Sequence, residues 1–392
     1  MKHTTLMRVL AALMILACTV MCFAGCNKGG DDKVLIIGGS GPLTGENASY
    51  GISVQRGAQI AVDEINKAGG VNGFTLKLEM LDDEAAPDQA ATNFNTLMDK
   101  DMKVSIGCVT SGAMASFADV AKDEGLLLVT PSASAEECIK HDNAFRVCFG
   151  DPDQGTYAAK FIDENKLATK VAVIYESSDN YSKGLHDAFI ATAKGLSFEV
   201  VADEAFTKDT NTDFSSQISA AKEAGADMIF LPIYYGNAAK IITQAKGEGM
   251  IDDSVKFLGC DGLDGIISEM GDNKALVEGV TLITPFFADS SDEKIKNFVS
   301  MYNEKYSATP DQFAADAYDA IYAIKAALEK AEINDLNDAD LNAKLIKAMT
   351  EIEVAGTTGT MTWDVSGAPT KGASAVVITD GKYAEFVPTA AE

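Results

Sequence analysis

Apolar runs of strand length alternate with segments of helical period along almost the whole chain, which restricts it to an α/β architecture with largely parallel sheets. "VLII" (34–37), "TLKLEML" (75–81), "KVSIG" (103–107) and "LLLVT" (126–130) are the first four expected strands. Between the first two, "QRGAQIAVDEINKAGG" puts Ala58, Ala61, Val62 and Ile65 on one face and stops at Gly69-Gly70, a glycine terminator. The rhythm restarts at "VAVIY" (171–175) and continues through "FEVVA" (198–202), "DMIFLP" (227–232) and "KFLGC" (256–260). Two such series in 392 residues imply two lobes, each with its own core. Nothing Pro- or Ser-rich separates them, so short crossings are expected in place of a long linker. Three amphipathic helices follow, "EKIKNFVSMYNEKY", "AADAYDAIYAIKAALEKA" and "LNAKLIKAMTEIE". The tail turns strand-like in "GTMTWDV" and "SAVVITDGKYAEFV", where Asp380-Gly381 suits a hairpin turn.

The first residues bear on the compartment. Lys2 and Arg8 make a positive start, and the apolar run from Val9 to Val20 is too short to span a bilayer comfortably. "FAGC" then ends in small residues before Cys26 and resembles the lipobox of bacterial lipoproteins, with Phe23 where leucine is usual. The lipobox implies a signal over residues 1–25, lipid on Cys26 and a polar, Gly-containing tether over 26–32; an ordinary secretory signal is the alternative. The protein is then expected to work outside the cytoplasm, held to a membrane. A formal charge of −26 argues against nucleic acid and against adhesion to anionic headgroups.

Chemistry finds little support in the motifs. Gly39, Gly41 and Gly45 have the wrong spacing for a dinucleotide fingerprint, Pro42 interrupts them, and no GK[ST] follows. There is no GxSxG elbow, and "HDNAF" and "GLHDAF" supply His-Asp neighbours typical of solvated helices or loops. With only His3, His141 and His186, and with neither a CxxC pair nor a Cys/His cluster, neither a metal site nor a cofactor is expected. Beyond the signal and Cys26, four cysteines remain: Cys108, Cys138, Cys148 and Cys260. They permit three pairings, Cys138-Cys148 among them, while four buried free thiols fit equally well.

Small hydroxyl residues at loop-to-helix junctions are what remains. "GCVTSGAMASFADVAKDEG" puts Thr110 and Ser111 after a strand and just before a helix, and "VTPSASAEE" repeats the arrangement with Ser132 and Ser134. A helix N-terminus offers free N–H groups and partial positive charge, so hydroxyls there can join in holding a carboxylate. Simple N-capping explains any one junction equally well.

Taken in order, "GPLTGENASYG", "GAQIAVDEINKAGGVNG", "LDDEAAPDQA", "IGCVTSGAMAS", "LLLVTPSAS", "FRVCFGDPDQG", "VIYESSDNYSKG" and "FLGCDGLDG" resemble the branched-chain amino acid-binding lipoproteins of ABC importers. These are type I periplasmic binding proteins and include the leucine/isoleucine/valine-binding proteins. The resemblance implies two Rossmann-like lobes joined by three hinge crossings, the first over about 33–151 and 282–357, the second over about 152–281 and 358–392. It implies a monomer that clamps an amino acid between the lobes and delivers it to ABC permease subunits, without catalysis. Residue by residue, Ser111 matches the family's carboxylate-binding serine and Ser134 the hydroxyl that completes that contact. Ser132 matches a position whose carbonyl faces the ligand's ammonium, Asp261 the acid that pairs with it, and Tyr50, Tyr181 and Tyr234 the surrounding aromatics. Tyr235 leaves the match at 234 open by one residue. "GPLTGENASYG" becomes one lip of the pocket, its glycines serving turns. Leu, Ile and Val are the expected ligands; another amino acid, an amide or urea-like solute and an aromatic acid are alternatives. A sensory ligand-binding module shares the fold but would be joined to a transmembrane signalling segment.

Overall fold

The computed structural model describes residues 33–388, so the expected signal, Cys26 and the tether lie outside the described residues. Five parallel strands build the first sheet: β1 (Val34–Gly41), β2 (Thr75–Asp82), β3 (Met102–Ser105), β4 (Leu128–Thr130) and β5 (Ala144–Arg146), in the order β2-β1-β3-β4-β5. A parallel sheet needs cover on both faces. The helices α1 (Ala48–Lys67), α2 (Pro87–Asp99) and α3 (Ser111–Glu124) supply part of it. Leu35, Ile37, Val104 and Leu128 have no exposed surface. The stripe read from α1, namely Ala58, Ala61, Val62 and Ile65, is buried, and Gly69 and Gly70 turn the chain at φ 108° and 79°.

The second sheet has seven strands in the order β14-β13-β10-β9-β8-β6-β7. Its parallel part holds β6 (Lys170–Glu176), β7 (Glu199–Phe206), β8 (Met228–Leu231), β9 (Lys256–Gly259) and β10 (Thr281–Thr284). Packed with it are α4 (Asp151–Glu164), α5 (Asn180–Ala193), α6 (Ser215–Glu223), α7 (Tyr235–Ile242) and the short α8 (Ile266–Met270). The chain then returns to the first lobe as α9 (Glu293–Tyr306), α10 (Gln312–Lys330), α11 (Leu341–Met349) and the small hairpin β11 (Glu353–Ala355) and β12 (Thr360–Thr362). It ends in the second sheet as the antiparallel pair β13 (Ser374–Thr379) and β14 (Lys382–Glu385). That hairpin turns at Asp380 and Gly381, with φ 54° and 68°, the left-handed pair a two-residue turn demands.

Strand membership puts the three crossings near 147–150, 285–292 and 370–373. Two of them fall later than the sequence reading placed them. The return expected at 282 waits until after Thr284, because all of β10 pairs with β13. The return expected at 358 waits because β12 pairs with β11 and Trp363 Nε1 donates to Arg146 O at 2.8 Å, holding this stretch on the first lobe. Cys108, Cys138, Cys148 and Cys260 are all buried free thiols, which decides between pairing and burial.

A buried charge knits the crossings together. Lys371 Nζ donates to Asp316 Oδ1 at 2.6 Å, to Thr358 Oγ1 at 2.6 Å and to Val147 O at 3.1 Å, joining the third crossing to the first and to α10. Both ends of this ion pair are almost wholly excluded from water, at 1% and 3% side-chain exposure. Beside it, Asp319 accepts from the amides of Thr357 and Thr358 at 2.8 and 2.9 Å. Removing one partner of such a pair leaves an uncompensated buried charge. Lys371→Met is expected to cost about 3–5 kcal/mol in urea unfolding, with partial recovery on adding Asp316→Asn; a loss below about 1 kcal/mol would mean that the crossings are held by other contacts.

Candidate functional site

The loop 42–47 after β1 is where a phosphate cradle would sit in a nucleotide-binding protein. Here two of its donors are turned to a carboxylate of the protein itself: Leu43 N reaches Asp82 Oδ1 at 2.9 Å and Thr44 Oγ1 reaches Asp82 Oδ2 at 2.6 Å. Gly45, at φ 85°, makes the turn, and a Cβ on Gly51 would stand 2.0 Å from Pro42 O, so these glycines serve bending and close approach.

The loop brings α1 against the second lobe, where Tyr50 spans the seam. Its hydroxyl donates to Gly262 O at 2.5 Å and accepts from Tyr235 N at 3.0 Å. Its ring lies between Phe313 of α10 and Tyr235 of α7, with centroids 4.5 and 4.6 Å away. From the opposite side the Tyr235 hydroxyl donates to Glu46 O at 2.9 Å. Gln312 adds a further bond across the seam, from Nε2 to Asp261 O at 3.0 Å.

Beneath these contacts is a small cavity lined by Tyr50, Thr110, Ser111, Ser132, Tyr181, Tyr234 and Asp261, together with Val109, Gly262 and Phe313. Thr110 and Ser111 open α3, which presents its first amide N–H groups there. Ser111 Oγ accepts from Ser134 N and Ala135 N, both at 3.2 Å, so its lone pairs are committed and its hydrogen is left to donate. Thr110 Oγ1 is buried and has no partner, although Thr110 is the N-cap residue of α3. Ser132 Oγ donates to Val109 O at 2.8 Å. This end of the cavity is a donor surface suited to an anion.

The other end carries the opposite charge. Asp261, 6% exposed, opens the turn after β9. Its Oδ1 accepts from the Tyr181 hydroxyl at 2.7 Å and its Oδ2 from Gln154 Nε2 at 2.9 Å. Burial pushes its pKa up to about 6, while the bonds from Tyr181 and Gln154 pull the other way. Behind it Asp151, the first residue of α4, keeps both carboxyl oxygens buried without partners, and burial drives its pKa far up toward the neutral acid. Tyr181 and Tyr234 stack over the cavity with centroids 4.8 Å apart and planes 11° from parallel. The space left among these groups is about 10 Å³, room for a single water, so anything larger enters only as the lobes part and the stacked rings move.

Six of the seven residues expected from the sequence therefore line one cavity: Tyr50, Ser111, Ser132, Tyr181, Tyr234 and Asp261. Ser134 does not. Its amide bonds to Ser111 Oγ, its carbonyl accepts from Arg146 Nη1 at 2.7 Å, and its hydroxyl is buried away from the cavity without a partner. The reason is local: "VTPSASAEE" runs extended into a single 3₁₀ turn, Glu136–Ile139, and does not repeat the helix start of α3. Between the two adjacent tyrosines, Tyr234 lines the cavity and Tyr235 crosses to the other lobe. The sequence offered Thr110 as a junction hydroxyl beside Ser111, but the resemblance gave it no role, and Gln154, Gln312 and Phe313 were passed over entirely. Thr110 had a visible signal as an N-cap position; the other three become neighbours of Asp261 and Tyr50 only through folding.

With this geometry in view, the chain can be set beside known proteins. The sequence profile of the periplasmic binding protein family matches residues 35–382. Leu/Ile/Val-binding protein homolog 3 of Brucella melitensis is 32% identical over 337 residues, 85% of this chain and 88% of that protein. The Leu/Ile/Val-binding protein of Escherichia coli K12 is 27% identical over 365 residues, 92% of this chain and 94% of that protein. The branched-chain amino acid transporter substrate binding protein LivJ of Streptococcus pneumoniae, solved in complex with isoleucine, superposes with a TM-score of 0.80 at 29% identity, covering 90% of this chain and 98% of that one.

The bonds across the seam make a direct demand on closure. Tyr50→Phe removes the donor to Gly262 O and the acceptor of Tyr235 N while keeping the ring. We expect it to shift the protein toward an opened form, read as a larger radius of gyration by X-ray scattering, and to cost about 1–3 kcal/mol for the stranded groups. Unchanged scattering would mean that Tyr50 does not hold the lobes together.

Proposed function

The chain belongs to the periplasmic binding protein family, and from that premise we propose that it is an extracytoplasmic receptor. It takes up an aliphatic amino acid, leucine, isoleucine or valine first, between its lobes and hands it to an ABC importer. The observation that carries this reading is the polarity of that small cavity: helix amides with the Ser111 and Thr110 hydroxyls at one end, the buried Asp261 carboxylate at the other. A zwitterion needs that arrangement, because moving either charge out of water costs several kcal/mol unless charge-assisted bonds replace its hydration. The carboxylate goes to Ser111 and Thr110 on the first lobe and the ammonium to Asp261 on the second, with Ser132 beside them. Ser134 supports the serine end from behind by binding Ser111 Oγ through its amide. Tyr50, Tyr181 and Tyr234 enclose the side chain.

Because the two charged ends belong to different lobes, ligand binds the closed form better than the open one and shifts the hinge equilibrium toward it. The partner permease then distinguishes loaded from empty receptor by shape. In this reading Cys26 carries lipid that keeps the monomer at the membrane face, and the protein performs no covalent chemistry. The names of the relatives support the choice among ligands: two are Leu/Ile/Val-binding proteins and a third was solved with isoleucine.

A thermal-shift screen of stripped protein against the twenty amino acids, urea, short amides and benzoate tests the reading, since ligands of the native state raise the melting temperature. Shifts with leucine, isoleucine and valine are expected; a shift only with urea, an amide or benzoate would remove the assigned role of Asp261. Asp261→Ala is expected to weaken binding by at least about 2 kcal/mol by leaving an ammonium unpaired, whereas equal affinity would place the ammonium elsewhere. The pH dependence has a definite sign. An ammonium selects the ionised carboxylate, and in the free protein Asp261 titrates at about 6, with Asp151 and Asp316 as its acidic neighbours. Affinity should therefore rise about tenfold from pH 5 to pH 7 in calorimetric titration; a flat or falling profile would contradict pairing to Asp261.

A further inference from the structure

A larger cavity, about 410 Å³, lies at the same seam on the far side of Gln312. Gln312 stands between the two: its side-chain amide holds Asp261 O, and its backbone N–H holds Asp264 Oδ2 at 3.1 Å. Ser49, Pro310 and Asp311 of the first lobe face Asp264, Ile267 and Tyr383 of the second across it, and Phe286 and Phe287 of the second crossing form an apolar wall. The volume falls within the range of small-molecule sites.

Asp264 gives this cavity its chemistry. It is 6% exposed, it lines the cavity, and its Oδ1 is buried with no hydrogen-bond partner. Its neighbour Asp311 is held by Ser53 Oγ at 2.6 Å and Ala314 N at 2.9 Å and its pKa is itself pushed up by burial, so it brings Asp264 no positive charge. Burial first, and Asp311 next, push Asp264 well above the ordinary carboxylate range, opposed by Gln312 N and by Tyr383 beside it. Asp289 and Lys382, both exposed, add one carboxylate and one ammonium at the rim. A buried carboxylate with one oxygen unpartnered, acidic neighbours and aromatic walls together call for a cation with an apolar body.

We propose that this cavity is a second ligand site, which takes a primary amine with a short apolar or aromatic tail, its ammonium on the Asp264 carboxylate and its tail against Phe286 and Phe287. Groups from both lobes form the site, and Gln312 of the first lobe bonds to Asp264 here and to Asp261 at the first cavity, so an amine bound there favours the closed form as well. This stands independently of what the first cavity holds.

The test is calorimetric titration of the purified protein with 2-phenylethylamine, and with 2-phenylethanol as the neutral isostere. The amine is expected to bind and the alcohol to bind at least about tenfold more weakly. Asp264→Asn should weaken the amine by at least about tenfold, and Ser268→Trp, at an exposed position of the lining, should block it without touching the carboxylate. Absence of amine binding to the unaltered protein would overturn the proposal; so would binding that survives Asp264→Asn or Ser268→Trp undiminished, which would assign the amine to another site.

Discussion

A carboxylate held out of water at the seam between two lobes organises this molecule. Asp261 is tolerated in the interior because Tyr181 and Gln154, from α5 and α4, each give one of its oxygens a hydrogen bond, and Gln312 of the opposite lobe holds its carbonyl. Those donors are neutral, so burial still raises its pKa, and the group keeps an appetite for a positive charge. The helix start at Thr110 and Ser111, the stacked pair Tyr181 and Tyr234, and the bridge made by Tyr50 are all arranged around the space that charge would fill.

The architecture converts local electrostatics into movement. Each lobe is a largely parallel sheet with its own helices, and the first and third of the short crossings between them are tied by Lys371, Asp316 and Val147. That knot fixes the hinge side. The seam farther out depends on single hydrogen bonds from Tyr50, Tyr235 and Gln312, each worth about 1 kcal/mol net, a scale on which a ligand with two charged ends can tip the balance.

Much of this was legible in the residue order. Eight runs marked the principal strands because short stretches that are apolar throughout or alternate with polar residues, bounded by turn residues, are hard to place elsewhere. The strands β5 and β10, of three and four residues, carry too little periodicity and emerge only as partners of their neighbours. The crossings after Thr284 and near 371 were displaced in the reading because sheet pairing and the bond from Trp363 to Arg146 O decide them. At the site, resemblance located six lining residues, but the serine motif at 132–134 looked like a second helix start and is an extended turn, so Ser134 serves through its backbone. Gln154 and Gln312 stayed hidden, since a glutamine's role beside a buried acid depends on which helices fold against it. The Asp264 cavity was not legible, although Asp264 stands in "FLGCDGLDG" and Ser49 in "GPLTGENASYG"; it forms only when segments between Ser49 and Tyr383 fold together.

The central claim, that one lobe takes the carboxylate and the other the ammonium of a single amino acid, is tested most directly by a crystal structure of the protein grown with leucine. The account predicts the ligand carboxylate at the amides and hydroxyls of Thr110 and Ser111, and its ammonium within hydrogen-bond distance of Asp261. Leucine bound in the reverse orientation, or away from this cavity, would contradict it.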